Sequence, residues 1–521
     1  MKVTLILHSE AKPTFFILHS LPLDSRPLTK ISFMNRFVLF LSFAWLVTAE
    51  GWSLYQPSSI QRTLYISSSE GNDNNPGTRQ FPRRTLSSLS QQERQHSRLL
   101  LKCGDIFPER LVSLTGCEVT SYGRGPKPVV TGFFQLRNPS AWEQISANVW
   151  RLDLSQTQDF TGFGYSPPAD IPNLGNIGLI YHVETDQVFG HLVPSLDSLQ
   201  HDGDFFTTET SRRDLLTPET FRHLYFRWPS HPASLGPLCF TSGTYGCVLC
   251  PDCYIHDIAI IGFGYNGIQA QSGTTITRCS LDLIGGSILL DYPTGWMRFG
   301  NGIEVNVSRH TQRDITVSHN LISRTYDAAT TLQGQPATDT SPQNILFLNN
   351  TIVHCRQAFE WYINPRTPDL HPRYVRCAFQ GNLLLENGDN QFRLPSRPND
   401  CQLLSYDHRQ PPLTITRNTL YGGNYLCAHQ PNPGLSGNQV YLFPHHYLNH
   451  YVTPHYPSLP ATSAAQVEAY RRRTQDTSRI HLIEAESRTA RRFEKQIRRL
   501  LARQAALSQH AGRGVGEECR R

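Results

Sequence analysis

The sequence predicts an all-β protein folded as a right-handed parallel β-helix, with an irregular insertion and a C-terminal amphipathic helix. The main indication is a series of short strands with alternating apolar residues between residues 258 and 423. Four of these strands end in an asparagine, and the steps between Asn320, Asn350, Asn382 and Asn418 are 30, 32 and 36 residues. Repeats of this order built from short strands are typical of solenoids, in which each turn buries its apolar face on the next turn.

Asparagine suits the corner of such a coil for two reasons. It tolerates the left-handed backbone region, and its side-chain amide can bond to the asparagine one coil along. A β-sandwich would instead show strands about every 8–12 residues joined by hairpin turns. Hairpin turns are not evident in this stretch, so the pattern favours the solenoid.

The patterns along the chain divide it into five segments. These are an N-terminal extension with a signal peptide (1–49), the first β-helix coils (60–133), an irregular insertion (134–253), the main coils (254–440) and a basic helical tail (460–521).

The net charge of +6 is concentrated in the tail. Residues 471–521 contain 14 Lys or Arg and 6 Asp or Glu, a local charge of +8, so the other 470 residues carry −2 (6 − 8). A nearly neutral body does not predict a nucleic-acid-binding surface. No cofactor and no metal site are predicted either, and the sequence does not determine the oligomeric state.

The N-terminal region predicts export to a secreted or periplasmic location. Asn35 and Arg36 precede an apolar run over residues 37–47, and Val47 and Ala49 then occupy the −3 and −1 positions of a cleavage site. The segment before Met34 is unusual for a signal peptide, which makes Met34 a plausible start. The apolar run is too short to span a bilayer, and no later run is apolar enough, so no stable membrane span is predicted.

The predicted insertion is rich in aromatic residues and ends in a cysteine cluster. A small aromatic core is favoured over a surface on which sugar rings stack. The cluster comprises Cys239, Cys247, Cys250 and Cys253. In an exported chain disulfides are favoured, while a zinc site and free thiols stay open as alternatives.

The tail has the pattern of one amphipathic helix over residues 466–505. Phe493, Ile497, Leu500 and Leu501 recur at helical spacing, and the stretch lacks proline and glycine. The helix could pack along the solenoid, bind a partner or touch an anionic surface, and packing on the solenoid is favoured.

Two glutamates are the first candidates for chemistry. Counting ten residues from the corner asparagines aligns Thr330 with Glu360, and the preceding coil offers Glu304, so these three side chains are expected to form one outward column. The two carboxylates would then lie two coils apart, roughly 9–10 Å, near the separation found in inverting glycosidases. Two outward glutamates are also common on any solenoid, so a purely structural role stays open.

Further candidates surround this column. Asp327 precedes the middle strand and is the third predicted catalytic residue. Glycines on both sides of Asn301 open the backbone to a ligand. The predicted substrate-binding residues are Arg298, Asn301, His310, Arg324 and Trp361.

Several motifs resemble those of secreted β-helix proteins of the pectin-lyase-like superfamily, in particular a bacterial group whose members are often of unassigned activity. The first coils contain TLYIS, a polar turn GNDNNPGT, LLLKCGD and SYGRGPKPVV. Later coils contain GG at Gly285, RFGNGIE from Arg298, YDAA from Tyr326 and FEW from Phe359. The resemblance implies sugar-polymer chemistry, but the calcium-binding aspartates of pectate lyases and the Gly-His-Gly of polygalacturonases are absent.

These observations predict an exported enzyme that acts on a polysaccharide as a hydrolase or as a lyase or epimerase. The alternative is a non-catalytic β-helix that binds glycans or serves as a surface or assembly component. Fold does not decide between them, because function depends on the site.

Overall fold

The structure is a computed structural model. It describes residues 60–136, 138–154, 176–207, 222–289, 297–388, 392, 400–405, 413–428, 435–449 and 462–520. The predicted signal peptide and the start at Met34 lie outside the described residues. All described residues belong to the unit Tyr55–Arg521.

The predicted right-handed parallel β-helix is confirmed. Three long parallel sheets run along it, named here sheets A, B and C in the order in which a coil visits them. Sheet A contains Arg62–Ile66, Ser97–Lys102, Glu118–Tyr122, Tyr254–His256, Thr275–Thr277, Arg313–Ser318, Gln343–Leu348, Ala378–Gln380, Thr414–Thr416 and Leu435–Ser436. Sheet B contains Ile106–Phe107, Val129–Thr131, Ala259–Ile261, Ser280–Ile284, Leu321–Thr325, Thr351–Val353, Leu383–Leu385, Thr419–Tyr421, Gln439–Leu442 and Arg479–Leu482. Sheet C contains Leu111–Val112, Cys247–Val248, Ile268–Ala270, Ile303–Asn306, Ala328–Gly334, Gln357–Ile363, Cys401–Leu404, Tyr425–Ala428 and Tyr447–Asn449.

The core of the solenoid follows from alternation along each strand. In Arg313–Ser318, for example, Ile315 and Val317 are fully buried, whereas Arg313 and Asp314 are exposed. Because strands of successive coils pair in register, Ile315 stacks on Ile345 and Val317 stacks on Phe347. Burial of such apolar columns is the main stabilising contribution, on the order of 25 cal/mol per Å² of apolar surface.

The predicted asparagine ladder is present at the corner between sheets A and B. The amide nitrogen of Asn350 donates to the side-chain oxygen of Asn382 at 3.0 Å, and that of Asn382 donates to Asn418 at 3.0 Å. The same acceptor oxygens also receive backbone N–H groups from the preceding coil. The ladder continues one step further than predicted, because Asn418 donates to Asn438 at 2.9 Å.

The left-handed residue of this corner is not the asparagine itself. It is the residue before it, as His319 (φ 56°), Asn349 (φ 54°) and Gly381 (φ 69°) show. The asparagine therefore contributes the hydrogen bonds of its side-chain amide, while the residue before it adopts the positive φ.

Replacing Asn382 by alanine is expected to lower the free energy of unfolding by about 2–3 kcal/mol. The change removes the four hydrogen bonds of the Asn382 side chain and leaves buried donors of the neighbouring coil unsatisfied. Each unsatisfied group costs roughly 1–3 kcal/mol. Chemical denaturation measures the loss. The exposed Gln343 of the same sheet, replaced by alanine, is the control and should change stability little. Equal effects of the two substitutions would contradict a structural ladder.

The insertion is an antiparallel unit between Phe133 and Thr241. One four-stranded sheet contains Phe133–Phe134, Ile180–His182, Gln187–Phe189 and Leu238–Thr241, and a second contains Glu143–Ser146, Val149–Asp153, Phe205–Phe206 and His223–Arg227. Short 3-10 helices lie at Pro139–Ala141, Leu196–Ser198 and Pro232–Leu235. A further hairpin, Ser287–Leu289 with Met297–Phe299, lies between two coils. The aromatic side chains form a buried core, as predicted in preference to a stacking surface.

The cysteine cluster differs from the favoured prediction, because Cys247, Cys250 and Cys253 are thiols and not disulfides. Cys247, Cys250 and Cys253 belong to a coil of the solenoid, since Cys247 pairs in sheet C with Leu111 and Ile268. The thiol of Cys250 lies 3.3 Å from the carbonyl oxygen of Val248, and that of Cys253 lies 3.3 Å from the carbonyl oxygen of Pro251. These cysteines act as small buried residues at the bends of the coil.

The tail contains two helices, α1 (Ala464–Thr474) and α2 (Arg488–Arg520), where a single helix was predicted. α1 ends at Gln475, which has a φ of 56°. Between the helices, Arg479–Leu482 joins sheet B beside Gln439–Leu442. Neither α1 nor α2 combines the length and hydrophobicity that a membrane-spanning helix needs.

α2 packs along the outer face of sheet B, as predicted. Phe493 and Ile497 lie against a group of outward side chains of this sheet: Leu321, Val353, Leu385 and Tyr421. Farther along, the side-chain amide of Gln504 donates to the carbonyl of Leu281 at 2.9 Å. The apolar side of α2 is therefore used for tertiary packing.

Candidate functional site

Glu304 lies on the outer face of sheet C within a ring of amide groups. Its Oε2 accepts hydrogen bonds from Asn266 at 2.7 Å and Gln269 at 3.1 Å. Its Oε1 accepts from Gln333 at 2.8 Å and Asn306 at 3.3 Å. An ionised carboxylate only accepts hydrogen bonds, so four NH₂ donors match its charged form. The side chain is nearly buried, with 5% of its surface exposed.

The register of sheet C places Glu304 and Glu360 in one column, two coils apart. Glu304 pairs with Thr331, and Thr331 pairs with Glu360. The middle residue of the column is thus Thr331, and the prediction of Thr330 was wrong by one position. Thr330 faces the core in the column of Ile303 and Phe359.

The hydroxyl group of Thr331 is the polar atom between the two carboxylates. It is buried and has no hydrogen-bond partner within the described part of the chain. Buried polar groups of native proteins are nearly always hydrogen-bonded, so such a group points to a water molecule or a ligand. With strands about 4.8 Å apart, Glu304 and Glu360 flank this hydroxyl from the two neighbouring coils.

The next outward column supplies half-exposed polar side chains. Asn306 pairs with Gln333, and Gln333 pairs with Tyr362. All three are partly exposed, so the column offers amide and hydroxyl groups beside the carboxylates. Amides and a tyrosine hydroxyl can both donate to and accept from sugar hydroxyls.

Arg298 and Asn301, which were predicted to bind substrate, make internal contacts. The guanidinium of Arg298 donates to the carbonyls of Gly286, Gly190 and Gly178 at 2.5–2.7 Å, which fastens the insertion to the solenoid. Asn301 is a corner residue whose side chain accepts the backbone N–H of Ala328.

Arg324 and Trp361 also lie away from the predicted surface. Arg324 is buried on sheet B, where it pairs with Asp282 and, at 2.8 Å, with Asp186. Trp361 has no exposed surface and stacks on Phe359 in the core of the solenoid. Because side chains alternate along a strand, Trp361 shares the inward face of Phe359, so it does not lie on the outer surface where substrate binding was predicted. His310 is exposed in the loop after Ile303–Asn306.

Asp327 lies at the corner where the chain enters sheet C. It precedes Thr331 by four residues, which is roughly 13 Å along a strand, so it is separated from the glutamate column. Burial would lower the pKa of Arg356, but nearby negative charges, including that of Asp327, raise it. The guanidinium of Arg356 lies 5.2 Å from the ring of Tyr326 and bonds to Asp400 at 2.6 Å. The structure therefore brings together Glu304 and Glu360 but places Asp327 in a different cluster.

The amide side chains that surround Glu304 were not predicted from the sequence. Gln269 could have been found, because it pairs directly with Glu304 once the coils are in register. Asn266 could not, because it reaches Glu304 from the preceding corner, 38 positions earlier. Among the described residues, no three His, Cys, Asp or Glu side chains are placed to hold a metal ion.

A second charged cluster lies on the outer face of sheet A. His256 contacts Asp257 at 2.7 Å and Glu118 at 3.2 Å, while Arg278 pairs with Asp257 and Arg98 pairs with Glu118. The hydrogen bond from His256, with help from Arg98, lowers the pKa of Glu118. Burial would raise the pKa of Asp257, but its bonds to Arg278 and His256 outweigh this and lower it.

This cluster is expected to stabilise the fold in a pH-dependent way. A carboxyl group whose folded pKa is lowered stabilises the fold above its unfolded pKa, and the contribution is lost as pH falls through the folded value. Replacing Glu118 by glutamine should therefore cost about 1 kcal/mol at pH 7 and a smaller amount at about pH 3, because part of the parent's carboxyl group is then protonated. Urea denaturation at both pH values tests this, with the exposed Glu486 replaced by glutamine as control. A loss that is the same at both pH values would contradict the assignment.

The fold and the site together define the class of this protein: a parallel β-helix with a recessed carboxylate pair on one outer sheet. The sequence matches no family model and no curated protein. It is similar in architecture to the structure titled "The complex structure of XylC with xylose", with 10% identity, a TM-score of 0.40, and 81% of this chain and 82% of that chain covered.

Two crystal structures of a GH136 lacto-N-biosidase from Eubacterium ramulus are also similar. The native form has 10% identity and a TM-score of 0.29, with 87% of this chain and 71% of that chain covered. The selenomethionine derivative has 9% identity and a TM-score of 0.26, with 87% and 72% covered.

Proposed function

We propose that this protein is a polysaccharide-active enzyme that hydrolyses a glycosidic bond on the outer face of sheet C. The observation that carries the proposal is the column Glu304–Thr331–Glu360, in which two carboxyl groups flank a buried hydroxyl that has no partner among the described residues. Their spacing of two coils, on the order of 10 Å between Cα atoms, suits an inverting mechanism, in which a water molecule must fit between base and sugar.

The surroundings of the two carboxylates suggest their roles. Four amide groups donate to the carboxylate of Glu304, so Glu304 would be the general base. It would take one proton from the attacking water while the water oxygen bonds to the anomeric carbon. Glu360 would give one proton to the glycosidic oxygen as the bond to the leaving sugar breaks. The hydroxyl of Thr331 would orient the water.

The proposal is tested with a panel of neutral and acidic polysaccharides. Release of reducing ends supports hydrolysis, and NMR of the first product shows whether the anomeric configuration is inverted. Unsaturated products would instead show an eliminating lyase and would overturn the hydrolytic mechanism. If no polymer of the panel yields any product, the result counts against an enzymatic function.

A non-catalytic glycan-binding protein is the second candidate. The observation that favours it is the half-exposed column Asn306–Gln333–Tyr362, whose polar groups can bind sugar hydroxyls without any reaction. A glycan that is retained on the immobilised protein but never processed would support this alternative.

The exported location is a further part of the proposal. It rests on the apolar run over residues 37–47 behind Arg36. Sequencing the N-terminus of protein recovered from outside the expressing cell should show a start near Glu50.

A further inference from the structure

The exposed side of α2 carries a row of positive charges. We call this row the basic strip, and it consists of Arg488, Arg491, Arg492, Lys495, Arg498, Arg499 and Arg503, all of which are exposed. Within the same span the acidic residue is Glu494, which accepts a hydrogen bond from Tyr421 at 2.9 Å. Within the described part of the chain, no residue of the basic strip forms an ion pair. Ion pairs with the described carboxylates therefore do not neutralise the charges of the strip.

The strip extends along a helix that is packed on sheet B. Fifteen residues separate Arg488 from Arg503, which is roughly 22 Å at the rise of an α-helix. The opposite side of α2 packs on sheet B through Phe493, Ile497 and Gln504. The cations thus share the side of α2 that faces away from sheet B, which is an arrangement suited to a long, extended anionic partner.

The surroundings of the strip weigh against two binding modes, which are insertion of α2 into a membrane surface and stacking of single-stranded nucleic acid. Binding at a membrane surface by an amphipathic helix needs its apolar side chains, and those of α2 are packed against sheet B. Single-stranded nucleic acid is bound largely through bases stacked on aromatic rings, but the aromatic residue of α2, Phe493, is 3% exposed. A polysaccharide with a carboxylate or sulfate group on its sugars needs neither, because its charges alone can be bound.

Arginine binds carboxylate and sulfate groups better than lysine does. Its planar guanidinium forms paired hydrogen bonds to carboxylates and sulfate-like anions and is less strongly hydrated than the lysine ammonium. Six of the seven residues of the basic strip are arginine. We infer that the basic strip on α2 is a binding site for an anionic polysaccharide, separate from the carboxylate column on sheet C. The inference does not depend on the proposed catalytic function, because the two sites lie on different sheets.

The test is binding of the full chain to polygalacturonate at low salt, measured by calorimetry. The test variant combines Arg491→Gln, Lys495→Gln, Arg498→Gln and Arg499→Gln. The matched control combines four exposed cations outside the tail: Arg309→Gln, Arg313→Gln, Arg373→Gln and Arg417→Gln. We expect the test variant to bind at least about tenfold more weakly and with a flatter dependence on salt, because fewer counterions are released. The control should bind as the parent does.

Three results would overturn the inference. These are no binding of polygalacturonate by the parent chain, an equal loss in the control variant, or tighter binding of single-stranded DNA or of vesicles containing anionic lipid than of polygalacturonate. Melting temperatures equal to that of the parent establish that both variants are folded, which is expected because the substituted side chains are exposed. A Glu304→Gln variant should keep the binding measured here even if its turnover is lost, so the failure of one proposal is distinguishable from the failure of the other.

Discussion

Replacing Glu304 by glutamine is expected to reduce turnover of the polysaccharide by about 10²–10⁴-fold, the usual effect of removing a general acid or base. Glutamine has nearly the same shape but cannot take a proton from water. Asn306 and Gln333 of the neighbouring column both donate to Oε1 of Glu304. The amide oxygen of glutamine can still accept these two bonds, so binding of the polymer should be kept. The measurement is turnover at saturating substrate together with binding of the same polymer.

The substitution also places an amide among four amide donors. At least one buried donor then loses its acceptor, which costs roughly 1–3 kcal/mol of stability. Turnover is therefore compared at a temperature where denaturation shows the variant to be folded. Glu360→Gln should lose turnover by a similar factor, whereas the exposed Glu486→Gln should match the parent. Parental turnover in both Glu304→Gln and Glu360→Gln would refute the catalytic column.

The second large effect is expected at Asp282, which joins sheet B to α2. This buried carboxylate accepts hydrogen bonds from Arg324, from Ser323 at 2.6 Å and from Ser508 of α2 at 2.6 Å. Replacing Asp282 by alanine leaves the buried guanidinium of Arg324 with Asp186 as its remaining carboxylate. Breaking a buried ion pair on one side typically costs 3–5 kcal/mol, so the midpoint of urea unfolding should fall markedly.

The double replacement Asp282→Leu with Arg324→Leu distinguishes charge from packing. Because it removes both buried charges, it should be less destabilising than the single change at Asp282. The exposed pair Arg151–Glu143 provides a control, since Arg151→Ala should leave the midpoint almost unchanged. Limited proteolysis should also cut α2 faster in the Asp282→Ala variant. If Asp282→Ala lowered the midpoint of urea unfolding as little as Arg151→Ala does, an anchoring role for Asp282 would be contradicted.

The asparagine ladder was predictable because it repeats one residue type at one place in each coil. Asn320, Asn350, Asn382 and Asn418 are visible in the sequence without knowledge of the fold. Asn438 was not predicted as part of the ladder, because it follows Asn418 by only 20 residues, a shorter step than between the other asparagines. The helical tail was also predictable, but its division was not, because Arg479–Leu482 becomes a strand only by pairing with sheet B.

The carboxylate column shows where counting along the chain fails. Thr330 lies ten residues after Asn320, but it pairs with Phe359, which lies nine residues after Asn350. The first of these coils has one more residue between the ladder and sheet C. A shift of one residue exchanges the two faces of a strand, and this is why Thr331, and not Thr330, lies between the glutamates.

The sequence by itself determined the solenoid, its corner asparagines, the amphipathic character of the tail and the two glutamates. These features are local patterns of residue type and period, and each coil repeats them. Only the tertiary structure decided which side chains meet: Asn266 and Gln269 at Glu304, Arg324 at Asp282, and Arg298 at the glycine carbonyls of the insertion. Those partners come from different coils, and their contacts depend on the number of residues in every corner between them, which no local period encodes.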